Sequence, residues 1–331
     1  MEDLEETIAC HREVLALRPR GHPNRSSTLD NLASAVFTRF EQTGRMEDLE
    51  EATTCHREIL ALRPQNHPDR PSSLHNLTTA VRTCFEQSGR TEDLEEAITC
   101  LRETVALLPR VHPNHTTSLN NLGAVMLARF QKSGKMKDLE EAITCHREAL
   151  ALRPRGHHNS PSSLNNLANA LSTRFEQSGS MKDLEEAITC HREALALRPH
   201  GHPDRSSSLN NLGSAMSTRF RQSGRMEDLE EAITCHREAL ALRPHGPDHT
   251  TSLNNLANAV SARFEQLGMM EDLEEAITFH GKALALRPHG HLDRPCSLNN
   301  LGTVVCTRFR NWEGWRIWKR RLHVTGKQAD N

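Results

Sequence analysis

Tyrosine is absent from the sequence, and aromatic residues make up only 4% of its 331 positions. Few rings are therefore available to stack on nucleic-acid bases. The 41 basic and 43 acidic residues nearly cancel, which leaves a formal net charge of −2. Nucleic acids and membrane surfaces attract an excess of positive charge, and this chain has none. We therefore predict neither a nucleic-acid partner nor a membrane partner.

Long apolar segments are also missing. The first six residues, Met1 to Glu6, are mostly acidic and so differ from a secretory signal peptide. No segment approaches the roughly 18 consecutive apolar residues of a membrane-spanning helix. These absences predict a cytoplasmic protein, in which the nine cysteines would stay reduced.

Internal repetition is the dominant feature of what the sequence does contain. A segment is identical at residues 138–154, 183–199 and 228–244, so the period is 45 residues. Looser copies of the same segment begin at Asp3, Asp48, Asp93 and Asp272. A fixed period of this length is typical of a repeat array, in which chain length does not indicate the number of globular domains.

Each repeat contains two helical patterns, and residues 206–244 serve as the example. A first helix is predicted from Ser206, with Gly224 as its stop. Its apolar residues recur at helical spacing: Leu209, Leu212, Gly213, Met216 and Phe220. A second helix is predicted from about Met226 to Leu242, and Pro244 prevents its continuation.

Neither helix can bury its apolar stripe alone, so successive pairs must stack. We predict an all-α fold, a right-handed superhelical solenoid of about 14 helices. Residues 1–310 form the array, with a half repeat, six full pairs and a terminal half repeat. Residues 311–331 form a basic tail that contains tryptophan and does not match the repeat. Two alternatives stay open for this tail, since it either caps the last helix or is unrelated to the array.

The repeat resembles the tetratricopeptide repeat. The family's first helix has a large residue, then Leu-Gly and another large residue, as at Leu209, Leu212-Gly213 and Met216. The second helix matches the family at five positions: Leu229, Ala232, His236, Ala239 and Pro244. The period exceeds the family's usual length of roughly 34 residues. Longer repeats of this kind resemble those of kinesin light chains and of fungal proteins that carry a caspase-like peptidase or a nucleotide-binding signalling domain.

The face of the first helix opposite its apolar stripe carries amides and hydroxyls in nearly every copy. The resemblance implies that this face lines a concave groove, and asparagine can both donate to and accept from a peptide backbone. We therefore predict a peptide-binding groove along seven equivalent asparagines, here named the asparagine row: Asn31, Asn76, Asn121, Asn166, Asn211, Asn255 and Asn300. Six further residues are predicted to line it: Asn120, Asn165, Asn210, Ser207, Ser214 and Thr218. The alternative that these side chains fix the stacking of helices stays open.

Two functions are compatible with these patterns. The first is a protein–protein interaction scaffold that binds an extended segment of a protein or peptide partner. The alternative is a regulatory or sensor fragment of a larger signalling protein, with a peptidase or NTPase domain outside this chain. No constellation of catalytic residues interrupts the repetition, so we predict no enzymatic activity and no cofactor. A recently expanded fragment without a partner is a third possibility.

Adjacent cysteine and histidine, as at Cys235-His236, recur in five copies and suggest zinc as an alternative. Neighbouring helical residues, however, point about 100° apart. In two other copies Leu101 replaces the histidine and Phe279 replaces the cysteine. We therefore predict buried structural histidines and no metal. Arginines near the ends of the first helices, such as Arg219, are interpreted as partners of the helix C-terminal dipole or of the acidic start of the next helix, with an acidic binding partner as the alternative.

Overall fold

The structure is a computed structural model that describes residues 2–153, 160–243 and 247–326, with the backbone alone at 247–248 and 312–326. Within these residues the chain forms fourteen α-helices and no β-strand, so the prediction of an all-α array with about 14 helices is confirmed. The helices are α1 (Glu2–Ala16), α2 (Arg25–Thr43), α3 (Met46–Leu62), α4 (Arg70–Ser88), α5 (Thr91–Leu107), α6 (Pro113–Ser133), α7 (Met136–Ala151), α8 (Ser160–Ser178), α9 (Met181–Ala196), α10 (Arg205–Ser223), α11 (Met226–Leu242), α12 (Pro247–Leu267), α13 (Met270–Ala285) and α14 (Arg294–Gly326). None of the described helices is both long and apolar enough to cross a bilayer.

Glycine creates the short turn from each first helix to its second helix. Gly224 ends α10 with φ of 68°, and its N–H donates to the carbonyl of Phe220 at 2.7 Å. Side chains other than glycine rarely adopt this left-handed conformation. The predicted stop is thus confirmed, and α10 packs against α11 as α2 packs against α3.

The last helix lacks this turn. Glu313 stands where the other copies have glycine, and α14 continues as one helix to Gly326. The described backbone therefore runs through the predicted boundary between residues 1–310 and 311–331 without a break. The side chains of Trp312, Trp315 and Trp318 lie outside the described part, and the two alternatives for the tail stay predictions.

The chain divides into two compact units, Met1–Ala170 and Leu171–Asn331. In the first unit Leu32 and Val36 of α2 pack with Ile59 of α3. In the second unit Leu212 and Met216 of α10 pack within one buried cluster of α8, α9, α10 and α11 side chains. Each fully buried side chain of this kind contributes about 1.5–3 kcal/mol, so the apolar stripes supply the main stabilisation of the pairs.

Ion pairs connect the end of a first helix to the beginning of the second. Arg219 donates from Nε and Nη2 to the two carboxylate oxygens of Asp228, at 2.9 and 2.7 Å. Four other copies repeat this bidentate pair: Arg39–Asp48, Arg129–Asp138, Arg174–Asp183 and Arg263–Asp272. The hydrogen bonds to Asp228 raise the pKa of Arg219. The interpretation of these arginines as partners of the next helix is confirmed.

Candidate functional site

The asparagine row lies on the solvent-accessible side of the first helices. Asn31 and Asn76 are exposed, whereas the remaining five members are half-buried. The apolar stripe of the same helices faces the interior, as the buried side chains of Leu212 and Met216 show. Each of the two units thus presents its own stretch of the row.

Members of the row differ in their partners. Asn166 donates from Nδ2 to Asn120 Oδ1 at 3.3 Å, and Asn255 donates from Nδ2 to Ser214 Oγ at a longer 3.4 Å. The side chains of Asn121 and Asn211 have no hydrogen-bond partner among the described residues. Their amides therefore keep both donor and acceptor capacity for a ligand.

A second set of asparagines, one position earlier in each helix, lies deeper. The Oδ1 atoms of Asn120 and Asn210 accept hydrogen bonds from the Nδ1 atoms of His146 and His236, at 3.1 and 3.2 Å. Asn210 also donates from Nδ2 to Ser252 Oγ at 2.6 Å and is 7% exposed. In these two residues, both predicted to line the groove, the side chains fix contacts between helices.

Histidines of the second helices, where present, lie at the interface with the first helix of the same pair. Burial lowers the pKa of the His236 imidazole to about 4, and the pKa values of His146, His191 and His280 are lowered to about 4 for the same reason. These rings are therefore neutral near pH 7, and a neutral Nδ1–H suits the asparagine carbonyl as acceptor.

The link between asparagine and histidine was missed in the sequence, although a signal for it exists. The two residues are 26 positions apart in four copies: 120 and 146, 165 and 191, 210 and 236, 254 and 280. Where Leu101 replaces histidine, His75 replaces asparagine. Where Asp30 replaces asparagine, Nδ1 of His56 is buried without a hydrogen-bond partner in the described chain. In the copy that loses the histidine the asparagine is lost as well, whereas His56 is kept without its asparagine and has an unsatisfied Nδ1.

The buried members of the repeated cysteine position have environments that disfavour the reactive thiolate. Burial raises the pKa of the Cys145 and Cys235 thiols to about 11, so both thiols are protonated near neutral pH. Within the part of the chain that the structure describes, no three potential ligands from histidine, cysteine, aspartate and glutamate converge on a metal position. The histidines beside Cys145, Cys190 and Cys235 are buried in the packing of the helices, as at His236, which is 1% exposed.

One cavity coincides with the asparagine row in the second unit. It has a volume of about 380 Å³ and is lined by Asn255, Ser214 and Thr218, all predicted groove residues, together with apolar Phe220 and Ala262. The Thr218 hydroxyl donates to the carbonyl of Ser214 at 3.0 Å, so its orientation is held by its own helix. Of the other predicted residues, Ser207 is half-buried and Asn165 is buried.

Among solved structures similar to this chain, one has a TM-score above 0.5 and so shares its fold. The chain is 15% identical to a protein in the crystal structure of the APC/C hetero-tetramer Cut9-Hcn1, with a TM-score of 0.55, covering 91% of this chain and 46% of that one. It is 23% identical to a Podosopora anserina putative kinesin light chain with nearly identical TPR-like repeats, with a TM-score of 0.46, covering 66% of this chain and 98% of that one. BtubC (BKLC) from P. vanneervenii is 18% identical, with a TM-score of 0.48, covering 74% of this chain and 94% of that one.

The sequence also matches a known family. No curated protein matches the chain. A family model described as tetratricopeptide repeat matches four segments, residues 25–69, 115–159, 162–204 and 205–250, which together make up more than half of the chain. Each matched segment includes a first helix with its glycine turn and a second helix. The chain therefore belongs to the tetratricopeptide repeat family, and this membership supports a role as a protein-interaction scaffold.

Proposed function

We propose that the chain is a non-enzymatic scaffold that binds an extended peptide segment of a protein partner along the asparagine row. The main support is the position of the Asn121 and Asn211 amides, which are accessible and have no partner among the described residues. An amide that offers one donor and one acceptor can hold a peptide backbone whatever the peptide's side chains are.

The cavity beside Asn255 offers a place for a peptide side chain, whereas contacts to a peptide backbone do not distinguish one sequence from another. Its volume of about 380 Å³ falls within the range of roughly 300–1,000 Å³ that is usual for ligand pockets. Apolar Phe220 and Ala262 line it together with the hydroxyl of Ser214 and the charged side chains of Glu176 and Arg221. A peptide held along the row would therefore place one amphipathic side chain in this cavity, which would add specificity to the backbone contacts.

The state of the potential catalytic groups supports a function without chemistry. The Cys145 thiol is protonated because burial raises its pKa to about 11. The neighbouring His146 is buried, is hydrogen-bonded to Asn120 and has its pKa lowered to about 4. A nucleophile and a base in these states are unsuited to activate each other near neutral pH.

Selection of binders from a random peptide library displayed on phage tests the proposal. The wild-type chain should enrich a set of peptides. Changing Asn121, Asn166 and Asn211 together to Ala should weaken binding of those peptides roughly tenfold to a thousandfold, since each hydrogen bond contributes about 0.5–1.5 kcal/mol. Binding should depend only weakly on salt, because the amides are uncharged.

A matched control changes three polar residues on the second helices. Thr144, Thr189 and Thr234 are exposed, and each hydroxyl donates only to a carbonyl of its own helix. Their triple change to Ala should leave peptide binding intact. If the asparagine variant keeps its helical circular dichroism and binds normally, the proposal fails. If the asparagine variant unfolds while the control does not, the row serves the stacking of helices instead.

A further inference from the structure

An apolar face of α14 is exposed where the other first helices bury the same face. Leu298, Val305 and Phe309 are 50%, 36% and 55% exposed. The equivalent residues of α10 are no more than 6% exposed: Leu209, Met216 and Phe220. In α10 that face packs against α11, whereas the helix with substantial contact to α14 in the described chain is α13, which precedes it.

Gly302 lies on the same exposed face of α14. At Gly213 a Cβ atom would lie 2.7 Å from the ring of His236, which fills the space above the glycine. At Gly302 a Cβ atom would meet nothing within 4 Å. The space that a histidine ring fills at Gly213 is therefore also present at Gly302, where no described histidine occupies it.

Arg308 has only part of the charge partnership of its equivalents. Arg219 holds the two carboxylate oxygens of Asp228, at 2.9 and 2.7 Å. Arg308 donates to Glu274 of the preceding second helix, at 3.2 Å, and its side chain is 43% exposed. No aspartate contacts it within the described chain. The guanidinium therefore retains donors on the side where Asp228 binds in the complete pair.

The complementary set of residues lies on α1. Its sequence matches a second helix, with Asp3 at the position of Asp228 and His11 at the position of His236. Thr7 and Cys10 of α1 are exposed, although the residues at these positions are buried in α11. Only the other side of α1 is covered, where Ile8 packs into the α2 cluster.

We propose that α1 of a second copy of this chain packs on α14, in the way that a second helix packs on its own first helix. The second copy's His11 then enters the space at Gly302, and its Asp3 pairs with Arg308. The apolar residues of α14 are covered by the same helix. The two surfaces differ, so the association is heterologous and each added copy offers a new free face. This interface is independent of the peptide groove, because the asparagine row lies on the opposite side of the first helix.

Sedimentation of the full chain across a range of concentrations, under reducing conditions, tests this assembly. The wild type should sediment faster as its concentration rises. Phe309→Glu and Gly302→Leu should each weaken association at least about tenfold, because both place a misfit in the interface. Gly302→Leu adds a side chain in open space, so it should fold as the wild type does. Val111→Glu is the matched control at a site that is 93% exposed and outside both faces, and it should associate normally.

A mixing experiment identifies the occupant. Thr7→Arg blocks the α1 face and Phe309→Glu blocks the α14 face, so each variant alone should be monomeric. A mixture of the two should form a one-to-one dimer, because each variant keeps one intact face. A wild type that is monomeric at every concentration overturns the proposal. So does a Thr7→Arg variant that still associates, or a mixture of correctly folded variants that stays monomeric.

Discussion

The imidazole of His236 occupies the space that a side chain at Gly213 would need, since a Cβ atom there would lie 2.7 Å from the ring. The equivalent position in the pair that contains His280 is Ala257, which is fully buried, so one methyl group is accommodated there. A larger residue has no such precedent in the chain. The fit between the two helices of a pair therefore depends on a small residue facing the histidine.

This relationship predicts different outcomes for the same substitution at two glycines. Gly213→Leu should lower the free energy of unfolding by about 1–3 kcal/mol, because it overpacks a filled interface. Gly302→Leu is the matched control, since nothing lies within 4 Å of the added Cβ atom. Urea titration followed by circular dichroism measures both variants at a low protein concentration. Equal losses at the two positions would contradict the role assigned to His236.

The buried histidines predict a loss of stability in mild acid. Burial lowers the pKa of His236 from 6.5 to about 4, so the folded state binds fewer protons than the unfolded state between these pH values. Stability is thus fully present above pH 6.5 and falls as the pH decreases towards 4. Each such histidine contributes up to about 1.4 kcal/mol per pH unit.

The measurement is the urea midpoint as a function of pH. His236→Leu should reduce the decline between pH 6.5 and 4, because one of the responsible groups is removed and Leu101 already stands at this position in another copy. An unchanged decline would show that carboxylates, rather than the buried histidines, cause the acid sensitivity.

Removing an aspartate that forms a bidentate ion pair with arginine should lower the free energy of unfolding more than removing one that does not. Asp228→Ala removes the partner of Arg219, and we expect a loss of about 1.5–3 kcal/mol, as for hydrogen bonds to charged groups. In the pair α4–α5, Cys84 stands at the position of Arg219. Asp93 there has only longer contacts, with Ser88 at 3.3 Å and Arg90 at 3.4 Å. Asp93→Ala should therefore cost clearly less in the same urea titration, and the reverse order would be inconsistent with this explanation.

The helices, their turns and their period could all be predicted from sequence, because each follows from local chemistry repeated seven times. Gly224 ends α10 as expected since only the left-handed conformation closes this turn. The difference between Asn210 and Asn211 could not be predicted in the same way. A helical wheel places the two side by side, and only the position of His236 on the following helix shows that Asn210 lies inside. The α14 helix continues beyond residue 313 because Glu313 stands where the other copies have the glycine that ends the helix.

The pairing of asparagine with histidine can be tested by rebuilding it in the copy that lacks it. In a Thr78→Ala background, which gives the ring the same space as Ala257, Leu101→His buries an imidazole without an acceptor and should be destabilising. Adding His75→Asn should recover about 0.5–1.5 kcal/mol, because the asparagine carbonyl then accepts from Nδ1. A double-mutant cycle measured by urea unfolding isolates this coupling, and a value of zero would mean that the 26-residue spacing has no energetic meaning.

Asn210 and Asn211 are adjacent in sequence and should respond to alanine in opposite ways. Asn210→Ala removes the acceptor of His236 and the donor to Ser252, so a buried polar group is left unsatisfied. We expect a loss of about 1–3 kcal/mol in stability. Asn211→Ala removes no hydrogen bond within the described chain and places the best helix former on an accessible face, so the stability should be unchanged or slightly higher.

Peptide binding should show the reverse pattern for these two residues. Peptides selected on the wild-type chain should bind Asn211→Ala more weakly, by roughly threefold to tenfold for one lost hydrogen bond. They should bind folded Asn210→Ala with nearly wild-type affinity, because that side chain faces the neighbouring second helix. Isothermal titration calorimetry and urea unfolding on the same two proteins provide the comparison. If Asn210→Ala is the variant that loses affinity while it remains fully folded, then the peptide is held by the deeper asparagines and not by the row.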